Sequence, residues 1–541
     1  MRTPFVLLAL LLVLLGSSIC AEEDKLRLSP RTRIETADGS GRYHAVTRAV
    51  EWDSSKTAAV VCDMWQKHWC AGATRRVADM ANRMNDVLVQ LRKRGVLIIH
   101  CPSAGMKYYE GTPQRKRAQS APPVETKVPL EKWCSLDKSK EAALPIDDSD
   151  GGCDCEPQCS QKDASKRMDL HQIRTLGIEE GDAITDSAEA YYLMVQRGIK
   201  NVIVMGVHTN MCVLGRPFSI RQMVYQGQNV LLMRDLTDTM YNSRMHPFVD
   251  HHTGTDLVVE HIERHWVPTI SSDQILGGKP FRFERDRRKH LVIVMAEDEY
   301  QTHETLPRFA RKHLGKDFRI SYVFGSEGKG PDAIHNLPGI EVLDEADLAL
   351  FSVRRRTPPK SQMDVIRRFV AARKPLVAIR TSSHAFALRG APPPEGHASW
   401  AKFDPDVLGG NYQGHHNNKT KQNKEDPPTY VRAVATAKSH PILRGVNTEE
   451  FIVPSWLYKT RPLATTTQTL IMGRAGERQP HEPVAWTNLP PDGGRVFYTS
   501  LGHPEEFKMP DFERLLLNGI HWAAETSTAA ARAKTQNSET R

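Results

Sequence analysis

Two segments of the sequence carry residues that can perform nucleophilic catalysis. The apolar run Thr57–Asp63 ends in a carboxylate, and a second apolar run, residues 202–207, leads through a short turn to Cys212. A thiolate is a strong nucleophile, and a neighbouring carboxylate can accept the thiol proton. This pairing predicts a cysteine nucleophile with an aspartate base, provided that the fold brings Asp63 and Cys212 together.

The segment Cys212–Gly227 has a helical pattern, which places the cysteine at the junction of a strand and a helix. At such a junction the helix dipole stabilises a thiolate, and backbone N–H groups can face a developing oxyanion. The alternative interpretation is a buried structural cysteine. The residue types alone leave both interpretations open.

Two series of alternating strands and helices must position these residues. In the first, the predicted strands are Thr57–Asp63, Val96–Cys101, Asn201–Gly206 and Asn229–Arg234, and the helices include Arg76–Arg94 and Ser187–Arg197. In the second, the strands are Leu291–Met295, Arg319–Phe324, Leu348–Val353, Pro375–Arg380 and Arg495–Ser500, and the helices are Glu304–Leu314, Ser361–Lys374 and Asp511–Ala524. Such alternation predicts two three-layer α/β/α domains, each with a mostly parallel sheet, with catalytic groups at the carboxyl ends of the strands.

The first series resembles the isochorismatase-like cysteine hydrolase superfamily over residues 45–270, through the segments AAVVCDMWQ and GVHTNMCVLGRPFSIRQMVYQGQNVLLMRD. The resemblance implies that Cys212 is the nucleophile and Asp63 its general base. It also implies that the turn containing Val207 and His208 supplies a non-proline cis peptide that helps to shape an oxyanion hole. The expected reaction is hydrolysis of a C–N bond, or a related bond, in a small molecule.

A third residue of this superfamily is a lysine that precedes the helix before the cysteine strand. The segment that we assign to this place, residues 170–175, offers His171 and Arg174 instead. A guanidinium would hold the aspartate with different geometry from an ammonium. His68 and His100 do not have the spacing of the family's metal-binding variant, so we expect packed structural roles for both, no metal and no cofactor.

The second series resembles the trehalose-utilisation (ThuA)-like group of the class I glutamine amidotransferase-like fold, over residues 289–525. The resemblance lies in the strand that leads to His384 and in Gly502-His503-Pro504-Glu505 with the helical segment that follows. No cysteine occurs after Cys212, which excludes glutamine hydrolysis by a cysteine here. His384, His503 and Glu505 therefore either polarise a sugar hydroxyl or carbonyl or retain a structural signature of the fold. A carbohydrate-binding or carbohydrate-processing protein with a degenerate hydrolase domain is the alternative function.

Nine cysteines are present, and four of them crowd into a polar, loop-like insertion over residues 134–160: Cys134, Cys153, Cys155 and Cys159. Two disulfides that staple this insertion are the preferred interpretation, with unassigned pairing. A metal site is the alternative, although the spacing lacks the paired Cys-x-x-Cys repeats of strong zinc motifs.

The remaining sequence predicts the cellular location of the protein and its domain boundaries. Residues 1–21 have the charged start, the apolar run and the small residues of a signal peptide, which predicts export to the periplasm or outside the cell, without a lipoprotein anchor. We expect a hydrolase domain over residues 22–278, a linker over 279–289, a ThuA-like domain over 290–525 and a disordered tail over 526–541.

The composition fits an ordinary globular protein of 541 residues, with 40% hydrophobic and 25% charged residues, and excludes collagen-like, coiled-coil and wholly disordered chains. The net charge of 73 − 64 = +9 is thinly spread, and its densest cluster, residues 282–289, contains two acidic residues and no aromatic ladder. The expected partner is therefore a small molecule rather than nucleic acid. We expect no integral membrane span after signal cleavage, and a homo-oligomer is the default.

Overall fold

A computed structural model describes residues 25–416, 428–477, 481–491 and 493–525. These residues form two compact units: residues 25–34 with 46–287, and residues 35–45 with 288–525. The second unit thus takes a short segment from the beginning of the chain, which the sequence analysis places in the first domain. The predicted signal peptide and the predicted disordered tail lie outside the described residues.

The described part of the first half of the chain contains twelve strands of two to ten residues. They are β1 Lys25–Leu28, β2 Arg31–Glu35, β3 Tyr43–Thr47, β4 Val50–Asp53, β5 Thr57–Cys62, β6 Trp65–Lys67, β7 Leu97–Cys101, β8 Asp169–Gln172, β9 Ala183–Ile184, β10 Asn201–Val207, β11 Asn229–Asp238 and β12 Thr269–Ile270. The helices are α1 Ala71–Lys93, α2 Pro113–Gln119, α3 Ala164–Arg167, α4 Glu189–Gln196, α5 Cys212–Gly215, α6 Ile220–Tyr225, α7 His251–His265 and α8 Asp273–Leu276.

The main sheet of this half has the order β3-β2-β12-β11-β10-β5-β7-β9, and the six strands from β12 to β9 are parallel. Successive residues of a strand point to opposite faces. Accordingly, Ala58 and Val60 pack on one face with α4, α6 and α7, whereas Ala59 and Val61 pack on the other against α1. This arrangement confirms a three-layer α/β/α unit.

The second half of the chain continues with strands β13 Lys289–Ala296, β14 Phe318–Phe324, β15 Leu348–Val353, β16 Leu376–Ile379, β17 Thr429–Ala433, β18 Phe451–Val453, β19 Thr467–Ala475, β20 Glu482–Asn488 and β21 Val496–Thr499. Its α-helices are α9 Thr302–His313, α10 Pro331–Ile334, α11 Lys360–Ala371 and α12 Pro510–Ala524. All five strands and all three helices predicted for this half are present, with small shifts at their ends.

In the second unit the sheet order is β14-β13-β15-β16-β21-β20-β19-β17-β18. The first five strands are parallel, and an antiparallel extension of four strands, which the sequence analysis did not predict, follows at the β21 edge. Leu291 and Ile293 pack with α9 and α12, whereas Val292 and Val294 pack with α11. Helices therefore cover both faces of the parallel strands.

Within the described ranges, none of the helices combines the length and the apolar character needed to cross a bilayer.

Candidate active site

The two catalytic candidates of the first unit meet at the carboxyl ends of neighbouring strands. β5 and β10 are paired in parallel, with Gly206 opposite Cys62. Gly206 has φ +106°, and a Cβ there would lie 2.1 Å from the Cys62 carbonyl oxygen, so only glycine allows this close approach. Asp63 follows β5 and Cys212 follows the turn after β10, which places both side chains at one edge of the sheet.

The predicted helix from Cys212 to Gly227 is wrong in one respect: it is interrupted after its first turn. α5 ends at Gly215, and Arg216 is extended, with φ −72° and ψ 157°. Pro217 explains the break, because a proline disfavours helical backbone at the residue before it and lacks an N–H donor itself. The Cys212 thiol therefore does not lie at the start of a long helix. The break in the helix places Arg216 beside this thiol.

Asp63 is fully buried, with φ +48°, a conformation that non-glycine residues rarely adopt outside special sites. Its Oδ1 accepts a hydrogen bond of 2.7 Å from the Ser103 N–H. Its Oδ2 is buried and has no nitrogen or oxygen partner among the described residues. Burial and the adjacent Cys212 thiolate raise the pKa of this carboxyl well above its usual range. Asp63 is thus placed to hold a proton taken from the thiol.

Cys212 is partly exposed, in contrast to the fully buried Cys62 and Cys101. Hydrogen bonding with the Cys62 thiol and with Asp63, together with the positive charge of Arg216, lowers the pKa of Cys212 to about 6, although burial acts in the opposite direction. A cysteine with this pKa is mostly thiolate at neutral pH. The structure thus favours a reactive thiol over a buried structural one.

Arg216 is the cation of this site. The charges of Cys212 and Asp63 both raise the pKa of its guanidinium, and its Nε has no hydrogen-bond partner among the described residues. The guanidinium carbon lies 5.6 Å from the centre of the Trp133 ring, and the Cys134 N–H donates to the Gly215 carbonyl. Trp133 and Cys134, where the insertion begins, therefore lie on this side of the site, and Trp133 remains 45% exposed.

The two residues that the sequence analysis proposes as the cation lie elsewhere. The half-exposed ring of His171 bonds to Asp169 at 2.6 Å and stacks on Tyr108. Arg174 is exposed, and its charge acts on Asp169. The helix before β10 is α4, and residues 185–188 directly precede it. Asp186, not a lysine, lies in that segment.

The turn between β10 and the cysteine contains the predicted non-proline cis peptide, between Val207 and His208. His208 is buried with its ring edge against His68, 5.1 Å between centroids, and burial lowers its pKa well below the usual value. His100 bonds to Gln172 at 2.8 Å and to Asp182 at 3.0 Å. His68 packs among aromatic rings, and burial lowers its pKa to about 4. These contacts fit the packed roles predicted for His68 and His100.

Replacing Arg216 with glutamine is expected to raise the pKa of Cys212, because the thiolate loses the positive charge beside it. We expect the pH midpoint of Cys212 alkylation to move up by about 1 pH unit or more. The measurement is the rate of iodoacetamide labelling against pH. Arg174→Gln is the matched control and should leave the midpoint unchanged. A shift in the control but not in Arg216→Gln would contradict this assignment of the cation.

Of the three predicted site residues of the second unit, His384 and His503 lie at the same edge of the sheet, whereas Glu505 is exposed. His384 and His503 follow β16 and β21, which are adjacent parallel strands, so both lie at one edge of the sheet. Burial and the charges of Arg355 and Arg354 lower the pKa of His384 to about 3. Glu505 is exposed and pairs with Lys508, whereas the neighbouring Glu506 is buried and accepts from the His503 N–H at 2.9 Å.

Aromatic and cationic side chains complete this edge. Arg380 is buried, has φ +50°, and donates to the Tyr300 hydroxyl at 2.9 Å. Its guanidinium carbon lies 4.3 Å from the centre of the Tyr300 ring and 4.8 Å from that of Tyr458. His384 stacks on Tyr412 at 4.3 Å. We name Tyr300, Arg380, His384, Tyr412 and Tyr458 the tyrosine cleft; its three tyrosines were not among the predicted residues.

The predicted disulfides of the insertion are not formed, because the described cysteines are all free thiols. Cys134 lies apart from the other three, hydrogen-bonded through its backbone to Gly215 and Arg221. The partner of the remaining three is Cys70, which precedes α1, and the Cys70 and Cys153 sulfurs are 3.4 Å apart. Local spacing does not group Cys70 with them, because 83 residues separate it from Cys153.

Solved structures similar to parts of this chain include a ThuA-like protein and two proteins of the cysteine hydrolase and isochorismatase type. A ThuA-like protein from Bacteroides uniformis ATCC 8492 is 16% identical, with 46% of this chain and 95% of that chain covered and a TM-score of 0.32. A cysteine hydrolase from Pseudomonas syringae pv. phaseolicola 1448A is 17% identical, with 42% and 92% covered and a TM-score of 0.27. An isochorismatase-type protein from Burkholderia xenovorans LB400 is 13% identical, with 42% and 91% covered and a TM-score of 0.25.

Among curated proteins, none matches this chain. The family model described as ThuA, trehalose utilisation, matches residues 338–523, which lie in the second unit and include His384, Tyr412 and His503. The second unit is thus similar to the ThuA family over residues 338–523.

Proposed function

We propose that the first unit is a cysteine hydrolase that cleaves a C–N bond, or a related bond, in a small molecule. The observation that carries the proposal is the cluster of Cys212, Asp63 and Arg216 at the carboxyl ends of β5 and β10. A partly exposed thiol with a lowered pKa lies beside a buried carboxyl with a raised pKa, which favours a thiolate on Cys212 and a proton on Asp63. The N-terminal apolar run supports export as part of the same proposal.

The reaction follows from this proton distribution. The Cys212 thiolate attacks the amide carbonyl carbon, and the C–N bond breaks as Asp63 gives its proton to the leaving nitrogen. Water then attacks the acyl thioester and gives its proton back to Asp63, while the C–S bond breaks. The carboxylic acid leaves, and the site returns to the thiolate and the protonated aspartate.

The positions around the thiol suggest which groups act on the substrate. Within the turn 208–212 the Thr209 and Met211 N–H groups already donate to the Asp238 and His208 carbonyls, which leaves the Cys212 N–H at the start of α5 as the group that we expect to face the oxyanion. Arg216 lies beside the thiol and Trp133 lies beside Arg216, so a small substrate with a planar or anionic group suits this side. The test is release of ammonia or amine from a panel of small primary amides and ureas by the full-length chain.

A second function, carbohydrate binding through the ThuA-like second unit, is favoured by the tyrosine cleft. Aromatic rings offer flat apolar faces with polar edges, and Arg380 places a buried cation beside them. His384 is neutral at pH 7 because its pKa is lowered, so it offers a ring nitrogen as a hydrogen-bond acceptor. A sugar hydroxyl or an oxidised sugar carbonyl suits this combination of groups.

Sugar binding by the tyrosine cleft is expected to raise the melting temperature of the full-length chain, because a ligand that binds only the folded state stabilises it. The measurement is thermal-shift screening against monosaccharides, disaccharides and their oxidised forms, with an expected rise of about 2 °C or more. Tyr412→Ala should abolish the shift, whereas Tyr430→Ala, outside the cleft, should retain it. No response to any sugar, or an undiminished response in Tyr412→Ala, would count against the second function.

A further inference from the structure

Four cysteine side chains of the first unit converge on one point: Cys70, Cys153, Cys155 and Cys159. Their sulfur atoms all lie within 4.8 Å of one another. The Cys70 sulfur is 3.4 Å from that of Cys153 and 3.8 Å from that of Cys155. A disulfide has a sulfur–sulfur distance of about 2.05 Å. The sulfurs of a tetrahedral tetrathiolate zinc site, with Zn–S bonds of about 2.3 Å, lie about 3.8 Å apart.

Backbone N–H groups point at these sulfurs, as a charged thiolate requires. The Gly72 N–H donates to the Cys155 sulfur at 3.2 Å, and the Ala71 N–H donates to that of Cys159 at 3.4 Å. The Cys159 N–H donates to the Cys153 sulfur at 3.4 Å. These donors orient the sulfurs and offset their negative charge, which is the role of outer-shell hydrogen bonds at metal sites.

The glycine at position 72 also allows the Cys155 sulfur to lie close to the start of α1. A Cβ at Gly72 would lie 3.2 Å from the Cys155 sulfur, so this position leaves little room for a side chain. Cys70 and Cys153 are buried, whereas Cys155 and Cys159 are partly exposed. Cys155 and Cys159 thus lie on the solvent side of the cluster, which gives an ion an entry path.

We propose that Cys70, Cys153, Cys155 and Cys159 bind one zinc ion as a closed structural tetrathiolate site. Four thiolates in tetrahedral array select zinc or iron, and a site with four protein ligands leaves no open position for a substrate. The ion would tie the Cys-x-Cys-x-x-x-Cys loop of residues 153–159 to the start of α1. This inference replaces the disulfides preferred from sequence, and it does not depend on the proposed hydrolase activity.

The position of the site explains what the ion would stabilise. Met211, the residue before Cys212, packs against the cysteine cluster. The Asn210 side chain donates to Asp148 at 2.7 Å, in the loop that leads to Cys153. In the same loop Asp154 accepts from the Ser243 N–H at 2.8 Å. A bound ion would therefore fix the loop that leads to Cys153. This loop contacts the turn before Cys212 but not the thiol itself.

Metal content of the full-length chain, purified without chelator or added metal, tests the proposal. Elemental analysis and native mass spectrometry are expected to find one zinc ion per chain, and Cys153→Ser should lower the zinc content at least about tenfold. Cys134→Ser is the matched control, since Cys134 is a buried cysteine outside the cluster, and it should keep its zinc.

A second measurement uses the unmodified protein, so that a variant that fails to fold does not decide the outcome. Titration of the wild-type chain with an organomercurial is expected to release one zinc ion per chain as the four cluster thiols react, detected with a chromogenic chelator. Loss of the ion to a chelator should lower the melting temperature by about 5 °C or more. Iron in place of zinc, metal-free protein with these cysteines linked as disulfides, or zinc retained in Cys153→Ser would overturn the proposal.

Discussion

Replacing Cys212 with alanine is expected to abolish hydrolysis of any amide that the wild-type chain turns over. Without the sulfur no acyl thioester can form, and loss of a catalytic nucleophile costs up to about 10⁶-fold in kcat. We expect a loss of at least about 10³-fold, measured as ammonia or amine release under saturating substrate. The side chain is small and partly exposed, so the change should leave the melting temperature within a few degrees.

The control for this variant is Cys134→Ala, which removes a buried thiol of the same unit and leaves in place the backbone N–H that donates to the Gly215 carbonyl. It should retain activity within a few-fold. Equal losses in both variants would mean that the thiol of Cys212 has no special role. Full activity in Cys212→Ala would remove the first unit's proposed nucleophile altogether.

Replacing Asp63 with asparagine is expected to cost about 10²–10⁴-fold in kcat, the usual contribution of a general acid–base residue. Asparagine keeps the shape of the side chain and can still accept the Ser103 N–H at the position of Oδ1. It cannot hold the thiol proton or pass it to the leaving nitrogen. The steady-state rate on the same amide measures the effect, and the unfolding midpoint checks that the fold persists.

Asp169→Asn serves as the matched control for Asp63→Asn, because Asp169 is a carboxylate paired with His171 outside the site. Its activity should stay within a few-fold of wild type. Activity of Asp63→Asn that matches this control would mean that the proton is taken and returned by another group.

Asp63 could be predicted because it directly follows an apolar run at a strand end. Cys212 could be predicted because it follows a second apolar run and a short turn, within a motif that resembles a known superfamily. The structure brings them together because β5 and β10 are adjacent and parallel. Arg216 lies inside the same motif, but the helical periodicity of residues 212–227 predicts a continuous helix there and gives no sign that Arg216 lies beside Cys212. Pro217 was the available signal, since a proline one residue later favours extended backbone at Arg216 and a break in the helix.

Residues that meet from distant parts of the chain could not be predicted in this way. Cys70 joins the cysteine loop across 83 residues, and nothing in its local sequence marks it as a partner. Tyr300, Tyr412 and Tyr458 come from three separate loops, so no spacing rule connects them. The antiparallel strands β17–β20 lie among polar and proline-rich segments, where alternation of apolar residues is weak.

The pH dependence of Cys212 alkylation tests the central claim most directly, because it needs no knowledge of the substrate. The full-length chain is treated with iodoacetamide across a pH series, and peptide mapping gives the rate at each cysteine. Since the thiolate is the reacting form, the rate at Cys212 is expected to rise with pH through a midpoint of about 6 and to exceed the rates at Cys62 and Cys101, whose thiols are buried with raised pKa values. A midpoint near 8.5, the ordinary value for a cysteine thiol, or resistance of Cys212 to alkylation would contradict the account.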